Sequence, residues 1–118
     1  MPGELMIHVN DAPGSERAHL AFRFGLVALA EHRAVTILLS AAAVELATAR
    51  SVAAARDDHG SVAAMVERFV DNGGRLWLLN ASVHEHGLTG PDLVDGAAIV
   101  SPGSVVDELV AASGTLTF

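Results

Sequence analysis

Three short apolar runs constrain this chain more than anything else in it. Leu5-Met6-Ile7-His8-Val9, Val35-Thr36-Ile37-Leu38-Leu39 and Leu76-Trp77-Leu78-Leu79 are each the length of a strand. None of them alternates apolar with polar in the manner of a half-exposed antiparallel strand. Strands that are apolar throughout are buried on both faces, as in parallel sheets covered by helices. The segments between them have the other period. Ala18, Ala21, Phe22, Gly25, Leu26 and Leu29 recur at helical spacing, and Ser15 followed by Glu16 supplies an N-cap and an acidic first turn, so a helix is expected over residues 15–32. A second helix starts at Ser61, carries Val62, Met65, Val66, Phe69 and Val70 on one side, and stops at Asn72-Gly73-Gly74.

The remaining segments are shorter. Ala41 to Ala49 reads as a short helix. Ser51 to Asp58 either continues it or leaves it, and Asp57-Asp58-His59-Gly60 breaks it. A brief strand over 98–100 precedes Pro102-Gly103. Ser104 is then expected to cap a last helix over 104–112, and Ser113-Gly114 leads into a terminal strand over 115–118. The order β-α-β-α-α-β-α-β-α-β predicts a three-layer α/β/α domain with about five mainly parallel strands and right-handed crossovers. With 118 residues and no linker or internal repeat, residues 1–118 form a single domain.

Composition removes several functions. One Trp and four Phe, against 51% hydrophobic residues, describe an aliphatic α/β core. A formal charge of −7 with seven scattered basic residues argues against nucleic acid as a partner, because phosphate contacts need clustered Lys and Arg. The absence of cysteine rules out disulfides, thiolate metal sites and persulfide chemistry by this chain alone. No apolar run approaches the ~20 residues that cross a bilayer. The N-terminal MPGELMIHVN has neither a charged region nor a long apolar stretch, so a soluble cytoplasmic protein with no membrane partner is expected. A mean hydropathy of +0.41 is high for a small domain and predicts apolar surface given over to self-association, with Phe69, Trp77 and Leu79 as interface candidates.

Polar chemistry should collect beyond the carboxyl ends of the strands, where open α/β sheets bind ligands. Those ends supply Asn10, Asp11, Ser40, Asn80, Ser82, His84 and Ser101. Ser15, at a helix start with Arg17 nearby, could hold an anion. Each of these residue types also makes caps and turns, and that reading carries more weight. Among the six histidines, His84-x-His86 has no assured third ligand, so no metal or other cofactor is assigned. His8, inside an apolar strand, reads as a core histidine with one hydrogen bond. Ser82 lacks the Gly-x-Ser-x-Gly setting of a hydrolase nucleophile, and no catalytic residue is assigned. Asn10 to Ser15 contains one glycine and no Gly-Lys-Ser ending, so it is no phosphate loop.

The stretch Asn72-Gly73-Gly74, strand, turn, His86-Gly87-Leu88 and then Asp92-Leu93-Val94-Asp95-Gly96-Ala97 resembles the DsrE/DsrF-like sulfur-relay family. Each motif is weak alone, and their order and spacing make the case. The resemblance implies a small α/β protein that assembles into trimers or hexamers. It also implies a sulfur-carrying cysteine at position 79 and, in some members, a second cysteine at position 82. This chain has Leu79 and Ser82 there. Leucine at 79 is an odd choice for deliberate inactivation, which favours a naturally cysteine-free member over an engineered one. The expectation is a non-catalytic oligomer that binds a protein partner or small ligand at that position, through Asn10, Asp11, Ser15, Arg17, Leu79, Asn80, Ser82 and His84. A relay subunit beside a cysteine-bearing partner, and a His/Ser-based or metal-dependent enzyme, are the alternatives.

Overall fold

The computed structural model describes residues 4–55 and 61–118. Five strands form one all-parallel sheet: β1 (Glu4–Val9), β2 (Ala34–Leu39), β3 (Arg75–Leu79), β4 (Ala97–Val100) and β5 (Gly114–Thr117), in the spatial order β4-β3-β2-β1-β5. The helices are α1 (Glu16–Ala30), α2 (Ala49–Ala54), α3 (Val62–Asp71), α4 (Asn80–Glu85) and α5 (Pro102–Ala111). Two 3-10 segments, Ala41–Ala47 and Gly90–Asp92, complete the regular structure. The expected break at Asp57-Asp58-His59-Gly60 lies outside the described residues.

Side-chain parity divides the sheet into two unequal faces. Ile7, Val9, Val35, Ile37, Leu39, Leu76 and Leu78 point into the main core, with Phe22 of α1 and Phe69 of α3. Those two rings meet edge to face, 5.9 Å between centroids. Phe69, expected at a subunit interface, is therefore sealed inside the domain. Met6 and Leu38 are just as deeply buried but lie outside that core, because even-numbered positions on β1 and β2 face the other way.

The topology explains why α5 alone, among the described residues, covers the second face. The chain steps from β1 through β2 and β3 to β4 in one direction, keeping its connecting helices on the core side. It then returns from β4 across the whole sheet to β5 at the far edge. A right-handed crossover in the reverse direction places its helix on the opposite face. Arg75 of β3 pairs with Glu108 of α5 and also lies over the Trp77 ring, 5.4 Å from its centroid, which ties the lone helix down.

Local chemistry sets the helix ends. The hydroxyls of Ser15 and Ser61 accept the N–H groups of Ala18 and Ala64, each at 3.1 Å. The last helix starts two residues earlier than expected, and its cap lies three residues earlier. Ser101, not Ser104, is its cap and accepts the Ser104 N–H at 3.3 Å, while Pro102 takes the first helical position, where its missing N–H costs nothing. Gly73, at φ +91°, turns the chain between α3 and β3.

Candidate functional site

Parallel α/β sheets form a crevice where neighbouring strands send their helices to opposite faces. Here that happens between β3, which leads into α4 on the core side, and β4, which leads into α5 on the other. Beside this point, under α5, lies a cavity of about 380 Å³. Its floor is Met6 and His8 of β1, Leu38 of β2 and Leu79 at the end of β3, with Ser40 just beyond β2. Its roof is Pro102, Val105, Val106 and Leu109 of α5, and residues Thr115 to Thr117 of β5 close the side.

Strand register builds the polar part of this cavity. His8 stands opposite Leu38, and the Ser40 N–H donates to the Val9 carbonyl at 3.0 Å, continuing the β1–β2 ladder one step past the strand. That places His8 Nε2 2.7 Å from Ser40 Oγ. Burial pushes the His8 imidazole below its ordinary pKa of 6.5, since a charged ring is poorly solvated there. Ser40 opens the 3-10 segment but makes no side-chain cap, so its hydroxyl is committed only to His8. The next residue, Ala41, has φ +51°, a left-handed conformation unusual for alanine. Its N–H donates to Ser82 Oγ at 2.8 Å.

The eight residues singled out from sequence fall into two groups, and among them only Leu79 lines this cavity. Asn10, Asp11, Ser15 and Arg17 sit in and after the loop that follows β1. There Asp11 accepts the Ala12 N–H at 2.9 Å and faces Arg17 at 3.8 Å, and Ser15 caps α1. Around α4, Asn80 is exposed and accepts the N–H of the next residue at 2.8 Å. Ser82 is buried against Ala41, and His84 is exposed. His86 lies 3.3 Å from Glu45. Among the described residues, no three His, Asp or Glu side chains converge as metal ligands. Sequence reasoning named Ser40 among the strand-end residues but did not pair it with His8, and it did not single out the apolar residues of α5. The detectable signal was His8 itself, the one polar side chain in the run from Leu5 to Val9.

The DsrE/DsrF-like family profile matches residues 4–118, nearly the whole chain. The chain belongs to the DsrE/DsrF-like family. Two solved structures support the fold. The ychN protein from E. coli superposes with a TM-score of 0.82 at 22% identity, covering 100% of each chain. A protein of unknown function from Methanobacterium thermoautotrophicum, MTH1491, gives 0.76 at 15% identity, covering 98% of this chain and 99% of its own. None of the curated proteins matches. At these identities the likeness establishes the architecture and nothing finer.

Proposed function

We propose that this DsrE/DsrF-like protein is a self-associating cytoplasmic binding protein, without persulfide chemistry of its own. In this reading it receives a small ligand or a partner's side chain in the cavity beside Leu79. The observation that carries this is the cavity's position. Leu79, where the resemblance places the sulfur-carrying thiol, lines an apolar pocket under α5. A leucine there turns a reactive site into a wall that favours apolar contact. Three features weigh against a His/Ser enzyme. Ser82 Oγ is engaged by the Ala41 N–H, His84 is exposed away from Ser82's buried setting, and among the described residues no side chain orients the second nitrogen of His8 as a catalytic triad requires.

Self-association is supported by apolar surface that one domain leaves uncovered. Val106 and Leu109 of α5 are exposed, and Val110 is 82% exposed. Phe24 and Val27 of α1 share a groove with Leu116 of β5, and Phe24 stacks on Phe118. Such patches mark interaction surfaces. The proposed assembly is a trimer or hexamer. The apolar surface of α5 beside the cavity also favours a second reading, a relay subunit docked against a cysteine-bearing partner. Sedimentation equilibrium tests both. A homo-oligomer formed by the chain alone supports the first reading. A monomer that assembles only when a cysteine-bearing family member is added supports the second. A monomer in both experiments refutes both.

A further inference from the structure

The cavity under α5 has no place for a charge. None of its lining residues is Lys, Arg, Asp or Glu. The start of α5 does not compensate. Pro102 has no N–H, that of Ser104 goes to Ser101 Oγ, and that of Val105 goes to the Ser101 carbonyl at 3.2 Å, which leaves the Gly103 N–H as a single uncommitted donor in the first turn. An anion would therefore find no convergent donors there, unlike at an open helix N-terminus. A carboxylate or ammonium group entering this space would lose water without gaining a counter-charge, which disfavours charged guests.

The polar pair inside is suited to a neutral guest. A hydroxyl has one proton to donate and two lone pairs to accept with. With His8 protonated on Nδ1, Ser40 donates to Nε2 and keeps its lone pairs for an incoming N–H or O–H. With His8 protonated on Nε2, the ring donates to Ser40, whose own proton is free for an incoming carbonyl. A tautomer change thus lets one pair accept either kind of head group. Burial holds the ring's pKa below its ordinary 6.5, so near pH 8 it is neutral in both cases. The volume of about 380 Å³, at roughly 30 Å³ per water-sized group, leaves room for about twelve non-hydrogen atoms.

We propose that this cavity takes an uncharged aliphatic molecule of about eight to ten non-hydrogen atoms, ending in one amide, alcohol or ketone group. The head docks at the Ser40 hydroxyl beside His8, and the chain lies between Leu38, Leu79, Val105 and Leu109. The inference rests on the reading of the cavity as a ligand pocket and adds the class of ligand.

The test is a titration of the full chain, freed of co-purified small molecules on a hydrophobic resin, with octanamide, 1-octanol, octanoate and octylammonium near pH 8. Calorimetry gives the affinities. The emission of Trp77, the only tryptophan and opposite Leu38 in the strand register, reports occupancy on this face. Octanamide and octanol should saturate at one per chain, with both charged analogues at least about tenfold weaker. Ser40→Ala should weaken octanamide by up to about tenfold, the size of one hydrogen bond, in protein that still unfolds in a cooperative melting transition. Octanoate binding as tightly as octanamide would overturn the assignment to neutral ligands and leave the ligand pocket standing. No binding by any of the four, in protein with an intact melting transition, would overturn both.

Discussion

Ser82 occupies a position where some family relatives are expected to carry a second cysteine, yet its surroundings make it a structural acceptor, and Ser82→Ala separates the two roles. Its Oγ accepts the N–H of Ala41 at 2.8 Å from within a largely buried site. Ala41 is itself held at φ +51°, which costs an alanine about 1–2 kcal/mol and persists only while its surroundings enforce it. Losing the acceptor strands the N–H, and an unsatisfied buried donor costs about 1–3 kcal/mol. Ala41 lies at the surface, so water can partly replace the serine, and we place the loss near 1.5 kcal/mol. For 118 residues, an unfolding entropy of about 2.1 cal/mol/K per residue converts this into a fall in Tm of about 6 °C. Thermal denaturation followed by circular dichroism measures it. Asn80→Ala is the control. That side chain is exposed and bonds only the next residue, so its loss should change stability by less than about 0.5 kcal/mol. A Ser82→Ala protein melting within about 1 °C of the unaltered chain would refute the structural role.

The pH dependence of stability should carry the signature of His8. Its folded pKa lies below the ordinary 6.5, so the unfolded chain takes up the proton first. Stability is then complete above 6.5 and falls as the pH drops through 6.5 toward the lowered folded value. Among the described residues no other titratable group lines the cavity, so melting curves of His8→Gln should show a shallower slope in that window; an unchanged slope would clear His8. Gly74→Ala should destabilise by about 2–3 kcal/mol in urea denaturation, because the added methyl would fall 2.3 Å from the buried Phe69 ring. Thr36→Val should be neutral or stabilising by up to about 1 kcal/mol in the same assay, since the Thr36 hydroxyl is buried without a hydrogen-bond partner. Val110→Glu should disrupt self-association in sedimentation experiments while changing the melting temperature little, as the side chain is almost fully exposed on one chain.

The fold was legible because its strongest signals are physical and local. Runs such as Val35 to Leu39, apolar but for Thr36, fit only a strand covered on both faces, and β2 is a central strand of an all-parallel sheet. Ser15 and Ser61 cap their helices as expected. Ser104 misled because two serines three residues apart both look like caps. The choice was made by Pro102, which fits the first helical position and so gives the cap to Ser101. The Ala-rich stretch after Ser40 stayed ambiguous because Ala43, Val44, Leu46 and Ala47 are all buried, leaving no apolar period to read.

The site was much less legible. Leu79, otherwise an interface candidate, was read as a site residue only because the resemblance places a thiol there. His8 and Ser40 are 32 residues apart, and only the register of β1 on β2 brings their side chains into contact. The apolar roof could not be assigned from sequence, because Val105 and Leu109 are ordinary helix residues until the return crossover lays α5 over the second face. The polar residues beyond the strand ends drew attention for their chemistry, and the structure gives Asp11, Ser15, Asn80 and Ser82 backbone N–H groups to hold. Pocket chemistry here depends on pairings across the sheet, which no single segment encodes.

Native mass spectrometry of the gently purified, untagged protein tests the central claim most directly. The account predicts an assembly of several 12.2 kDa chains, each carrying an added small-molecule mass that is released when the protein unfolds. A single chain at its bare mass would contradict both the self-association and the occupied cavity.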